Sequence, residues 1–287
     1  MNDNLLEPMD DGLVMRNSQE YARDKLLIIE RYTNRMITSM RDRPWRAFFY
    51  IDIEAGPGKN LFVTSGEVER GSPLIGLGAK FPFTHYRFIE LDQANCDTLK
   101  ARVSASELQE CVKVWHGDCN ILVDEIVNEI QEVDRPTATS YNWHSLNLAI
   151  LDPEGLELHW ETVEKLGRMK RMDMIFTFWT SGITRNANAW IEAGSTEKID
   201  KLYGSKEWQR IYRPVAHKNS TEKRRVLIDF YKTRLEGLGY QIGNERVFRN
   251  SKNVQQYTMF GACKHPLGIK FWNDVIRGLP QSRLAGF

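Results

Sequence analysis

Five short apolar runs, each ending in an acidic or glycine-rich turn, constrain this chain more than any other feature. They are Ala47–Ile53 (AFFYIDI), Tyr86–Leu91 (YRFIEL), Val112–Trp115 (VKVW), Leu148–Leu151 (LAIL) and Asp173–Trp179 (DMIFTFW). Runs this short, aromatic and β-branched, suit strands buried on both faces of a parallel sheet. Helical apolar spacing falls between them, in Gln93–Val103, Asn120–Gln131 and Trp160–Met169. Such alternation predicts an α/β, doubly wound fold with a mostly parallel sheet, its helices on both faces through right-handed crossovers. Tyr240–Phe248 and Gln255–Ala262 read as two last strands, which makes the sheet seven-stranded.

The flanks read differently. Residues 1–44 form an N-terminal region: a tail over 1–17 without periodicity, expected to be mobile, and a helix from Ser18 to Met40 with Ser18 as its N-cap. Residues 45–287 then make up the α/β domain. After Trp179 the rhythm changes, and a helical insertion over about 183–219 carries short pieces such as Glu197–Tyr203 and Glu207–Tyr212. Thr221–Leu238 is a strong helix closed by Gly239, and Pro266–Arg277 is the final one.

Charge excludes little here. Lys plus Arg number 39 and Asp plus Glu 38, a formal net charge of +1, so the chain as a whole exerts no bulk pull on nucleic acid or anionic membrane. Local basic groups remain: Arg168, Lys170 and Arg171, then Lys223, Arg224 and Arg225, which on helices read as solvated faces. Cys96, Cys111, Cys119 and Cys263 show neither C-x-x-C pairing nor His at finger spacing, so no metal site is expected, and free thiols suit a reducing cytoplasm. No run of 18 apolar residues occurs, so no membrane span is expected.

In open α/β sheets, ligands bind beyond the carboxyl ends of the strands. The residues found there are Glu54, Gly56 and Gly58 after the first strand, Glu90 ending the second, Gly117 and Asp118 after the third, and Asp152, Pro153, Glu154 and Gly155 after the fourth. Ser181–Asn186 follows the fifth and reads as a substrate-recognising loop. Glycines at 56 and 58 permit close backbone approach. Glu90 can accept from a ribose diol, Asp118 from an adenine amino group, and Asp52 can hold backbone amides or a cofactor amine. Taken singly, an acid after a strand is more often a helix cap. Two rival nucleotide motifs fail: the dinucleotide fingerprint needs glycine where Leu61 stands, and the P-loop needs glycine at Ile53 and Ser or Thr at Asn60. An E-x-G-x-G turn without a pyrophosphate cradle suits S-adenosylmethionine, whose ammonium wants carboxylate or carbonyl partners. Asp152 can orient or deprotonate a nucleophilic amine. His116, beside Asp118, reads as a structural histidine more readily than as a base.

Taken together, YIDIEAGPGKN, GSPLIGL, YRFIELD, VWHGDCN, LAILDPEGLEL and TFWTSGITRN resemble the three-Cys-motif partner proteins (TcmP) from about residue 20 to the last helix. The resemblance implies a class I, Rossmann-like methyltransferase fold, S-adenosylmethionine as cofactor, and a genomically paired partner that carries three cysteines and is similar to radical S-adenosylmethionine proteins. It supports Asp52, Glu54, Gly56, Gly58, Glu90 and Asp118 as cofactor residues. Two positions depart. Many members have Phe where Glu54 stands, and many have Phe or Tyr where Glu154 stands. Nitrogen-directed nucleic-acid methyltransferases use a related Asp-Pro-Pro-Tyr turn whose ring stacks on the base. Here Asp152 and Pro153 are kept and the ring is absent. Two expectations follow: a methyltransferase with RNA or DNA as candidate substrate and Asp152, Pro153 and Glu154 as its catalytic turn, or a partner subunit that keeps the fold and works by binding its neighbour.

Overall fold

The computed structural model describes residues 5–136, 144–250 and 252–279. In chain order the first half holds β1 (Arg16–Ser18), α1 (Arg23–Met40), β2 (Phe48–Asp52), β3 (Lys59–Phe62), β4 (Val68–Arg70), α2 (Ser72–Leu77), β5 (His85–Glu90), α3 (Gln93–Val103), β6 (Val112–His116), α4 (Cys119–Val133) and β7 (Leu146–Leu151). The second holds α5 (Trp160–Gly167), β8 (Met172–Trp179), α6 (Thr180–Glu192), α7 (Glu197–Tyr203), α8 (Glu207–Tyr212), α9 (Ser220–Gly237), β9 (Gln241–Ile242), β10 (Arg246–Arg249), β11 (Gln255–Cys263) and α10 (Pro266–Arg277).

The fold is mixed α/β, with the main sheet in the order β10-β11-β8-β7-β2-β5-β6 and β9 on β11. β2 pairs in parallel with β5 and β7, and β5 with β6. Phe49, Tyr50 and Ile51 on β2 are all fully buried, as an uninterrupted apolar run in a doubly covered strand requires. Val123, Ile126, Val127 and Ile130 form the single apolar stripe of α4.

Backbone contacts divide the chain into two units: residues up to Leu151 together with Met169–Ile175, and Asp152–Arg168 together with the chain from Phe176 onward. β8 belongs to the first as far as Ile175 and to the second from Phe176.

Four expectations need correction. Among the described residues the main sheet has eight strands, not seven, because Tyr240–Phe248 is two strands. Gly243 sends its N–H to Gly261 O (2.8 Å), and Asn244 O accepts from Trp272 Nε1 (2.7 Å), so the chain bends between β9 and β10 to seat the indole. A Cβ on Gly243 would lie 2.1 Å from that ring. Second, Ser18 ends β1 and does not cap a helix: its hydroxyl donates to Asn60 Oδ1 (2.8 Å), and α1 begins at Arg23 after a 3-10 turn. Third, the stretch between Gly58 and Ser72, which from the sequence reads as a long loop between strand and helix, is folded. β3 and β4 pair antiparallel there, and β1 adds in parallel to β3.

The fourth concerns the tail. Its described residues, 5–17, are tied to the first unit by charge. Asp11 accepts from Arg102 Nε (2.9 Å) and Nη2 (2.8 Å) and lies 2.7 Å from Lys59 Nζ. All three side chains are buried, at 1%, 0% and 0% exposure. Burial alone would raise the Asp11 carboxyl, but hydrogen bonds from the two cations outweigh it and hold the group well below the usual carboxylate range. Apolar periodicity has no way of announcing a buried ion triad, and the tail reads as featureless for that reason.

Candidate cofactor site and catalytic turn

In the first unit, the turn after β2 is held by named bonds. Ala55 N–H donates to Ile89 O (2.9 Å) and Gly56 N–H to Glu90 Oε2 (2.7 Å), so the glycine-rich turn is stitched to the end of β5. Gly56 (φ +64°) and Gly58 (φ +96°) adopt the left-handed backbone that favours glycine. Around them the space differs. A Cβ on Gly56 would meet nothing within 4 Å, whereas one on Gly58 would lie 3.1 Å from Leu99 Cδ1. Pro57 O accepts from Arg102 Nη1 (2.6 Å), so the ion triad that fixes the tail also fixes this turn. Gly71 N–H donates to Gly58 O (2.7 Å), and Ser72 O accepts from Tyr50 OH (2.7 Å). The GSPL segment thus closes the far side of the turn, which accounts for its place in the sequence pattern.

The ends of β2, β5 and β6 are linked through Glu90, whose side chain accepts from Gly56 N–H and whose main-chain oxygen accepts from Gly117 N–H. Glu90 Oε1 accepts from Asp92 N–H (2.7 Å), and Glu90 O accepts from Gly117 N–H (2.9 Å). Each carboxylate oxygen therefore holds one backbone amide and keeps a further acceptor position. Asp118 Oδ1 accepts from the N–H and Nδ2 of Asn120, both at 2.8 Å, and so caps α4. Neither Glu90 nor Asp118 makes an ion pair among the described residues. Asp52 is fully buried and accepts from Glu54 N–H (3.3 Å). Burial first, and the Asp52 charge second, push the Tyr50 phenol well above its ordinary value. His116 Nε2 lies 3.0 Å from Leu91 O, a structural tie for that ring.

Sequence reading missed two neighbours of this set. Leu91 and Ile121, next to Glu90 and three residues after Asp118, are 67% and 71% exposed. Large apolar side chains held in solvent beside hydrogen-bonding acids are suited to cover a planar ring. An apolar residue within three positions of an acid that follows a strand is the available signal.

The turn after β7 lies in the second unit. Asp152 is buried, and Gly155 N–H donates to Glu157 Oε1 (2.8 Å). Pro153 and Gly155 border a crevice of water-molecule size walled by Phe176, Phe178, Trp179 and Tyr231. Aromatic surface absent from the turn's own sequence is thus supplied by β8 and α9. Ser181–Asn186 is not a loop but the opening of α6. Thr184 Oγ1 and Arg185 Nε donate back to Ser181 O, and Asn186 Nδ2 to Gly182 O. Gly182 lets the Trp179 ring lie on the helix: a Cβ there would be 1.9 Å from it. The insertion's aromatics form a small core, with Tyr203, Trp208 and Tyr212 fully buried and Trp208 Nε1 donating to Asp200 (2.7 Å).

Among the described residues no three His, Cys, Asp or Glu side chains gather as metal ligands would, and no helix is long and apolar enough to cross a membrane.

No protein-family model matches the chain, and no curated protein sequence matches it either. Solved structures similar to it include an O-methyltransferase from Bacillus cereus in complex with SAH (10% identity, TM-score 0.42, covering 82% of this chain and 80% of that one). Others are protein LPL1258 from Legionella pneumophila (10%, 0.47, 88% and 90%) and the O-methyltransferase TomG from Streptomyces achromogenes in complex with SAM (9%, 0.42, 84% and 79%).

Proposed function

We propose that the chain is an S-adenosylmethionine-dependent methyltransferase of the three-Cys-motif partner type, acting on nucleic acid. One observation carries the reading. Three neighbouring strand ends present a left-handed glycine turn bonded to the Glu90 carboxylate, that carboxylate with spare acceptor positions, and a second acid, Asp118, whose preceding residue Gly117 donates to Glu90 O. Glu90 would take a ribose diol, Asp118 an exocyclic adenine amine, and Leu91 and Ile121 the faces of the ring. The open space at Gly56 admits close approach of an uncharged thioether or a sulfonium, and the acids around it favour a cation. When bound, the cofactor supplies an electrophilic methyl group. Asp152, Pro153 and Glu154 are assigned separately, within the second unit, as the catalytic turn, where the Asp152 carboxylate would hold an acceptor amine and take its proton. The neighbours crystallised with SAH and SAM are consistent with this choice of cofactor.

A second reading, a partner subunit of a three-cysteine protein encoded nearby, is favoured by the crevice beside Pro153, which takes no more than a water. Four free cysteines, none paired, agree with a cytoplasmic setting for either.

Calorimetry with S-adenosylmethionine and S-adenosylhomocysteine tests the cofactor. Glu90→Gln and Asp118→Ala should each lose about 1–3 kcal/mol of binding, roughly 5- to 150-fold. Wild-type protein that binds neither compound at millimolar concentration removes the proposal. Transfer of a labelled methyl group to total RNA, DNA or the partner, abolished in Asp152→Ala, separates the enzyme from the subunit that only binds.

A further inference from the structure

Arg224 was expected on a solvated helix face. It is instead buried, at 8% exposure, on the inward side of α9 with Leu227, Ile228 and Tyr231. Its Nε is wholly enclosed and has no hydrogen-bond partner, and its guanidinium forms no ion pair with any described residue. Burial first, and then the positive charges of Arg249 and Arg185, lower its proton affinity.

The placement follows from the packing. α6, which carries Arg185, packs on α9 and on β11, and β11 pairs with β10, which carries Arg249. Arg185 Nε donates to Ser181 O and Arg249 Nη1 to Asn253 O (both 3.1 Å), which leaves further N–H groups on each fork. Of the acids of α9, Asp229 lies 3.6 Å from Arg225, Glu222 accepts from Asn219 Nδ2 (2.8 Å), and Glu236 sits in the last turn, far along the helix from Arg224. Arg185 is exposed and Arg249 half-buried, so the cluster opens to solvent at one end and is desolvated at the other.

A buried cation with no ion-pair partner among the described residues costs stability. A bound anion would offset it. Three planar forks match a tetrahedral oxyanion better than a single carboxylate, since each can bond two oxygens. We infer that Arg185, Arg224 and Arg249 form a phosphate site in the second unit, which takes inorganic phosphate or the phosphate of a nucleotide. The inference does not depend on the methyltransferase reading, since none of its three arginines is a residue which that reading assigns to cofactor or catalysis.

The test is phosphate binding by the full chain, read as thermal stability and by calorimetry, with chloride matched for ionic strength. Millimolar phosphate should raise the wild-type midpoint saturably, above the chloride control. Arg224→Met should lose that increment, while without phosphate its midpoint equals or exceeds wild type. Arg185→Gln, at an exposed position, should weaken phosphate at least fivefold with an unchanged midpoint in chloride. A 5′-mononucleotide that binds at least tenfold tighter than phosphate, and loses that affinity in Arg224→Met, assigns the site to a nucleotide; equal affinities assign it to the free ion. The inference is overturned if phosphate acts no differently from chloride, if Arg224→Met keeps the full response, or if that variant is destabilised without phosphate, which would make Arg224 a structural residue.

Discussion

Asp11→Asn should unfold the first unit far more easily than any change at an exposed ion pair. The carboxylate accepts from Arg102 at 2.8 and 2.9 Å and from Lys59 at 2.7 Å, with every side chain out of solvent. Asparagine keeps the shape and one oxygen but presents an amide to two cations that can no longer be neutralised. Removing one partner of a buried pair costs about 3–5 kcal/mol, a large share of a total stability of roughly 5–15 kcal/mol. In urea, with a slope of about 3 kcal/mol/M, the midpoint should fall by roughly 1–1.7 M. Glu7→Gln is the control: it breaks the exposed Arg70–Glu7 pair and should cost under about 1 kcal/mol. pH supplies a second axis. Asp11 has a depressed native pKa, so its stabilisation is complete above the unfolded value near 3.9 and declines as pH falls below it. The gap between wild type and Asp11→Asn should therefore be full at pH 6 and narrow below about pH 4. A variant within 1 kcal/mol of wild type at pH 6, or a gap that widens on acidification, refutes the reasoning.

Three smaller effects follow from geometry. Gly58→Ala forces an L side chain into φ +96° against Leu99, and should destabilise by about 1–2 kcal/mol in urea titration while weakening any ligand held by the turn. Gly71→Ala places a Cβ 2.9 Å from Gly58 O, a backbone atom that cannot swing aside, so a loss of about 1–3 kcal/mol by the same titration is expected. Asn219→Ala removes the oxygen that accepts from Thr221 and Glu222 N–H at the start of α9, and should lower stability by about 0.5–2 kcal/mol, read by thermal melting.

What could be read from sequence was what repeats or punctuates. α3 (Gln93–Val103), α7, α8 and α10 occur at the bounds the apolar spacing and caps imply, because each has its period and its stop signal within a dozen residues. The strand-end positions of Gly56, Glu90 and Asp118 were legible for the same reason, since chain order fixes them once the strands are known. Illegible were features made by residues far apart in sequence. Asp11 and Arg102 are 91 positions apart, the bend at Gly243 depends on Trp272, and the hairpin of β3 and β4 hides among polar residues. Arg224 belongs with them, because a basic run looks the same whether its middle member faces water or the core.

The course of β8 has a consequence for inheritance. Its residues as far as Ile175 belong with the first unit, and those from Phe176 with the second, while Asp152–Arg168 belong with the second although they precede it. Neither unit is therefore one uninterrupted stretch of gene. A recombination break after Leu151 strips the first unit of Met169–Ile175, and a break after Ile175 carries Asp152–Arg168 away with it. No single junction therefore separates the two units as whole cassettes.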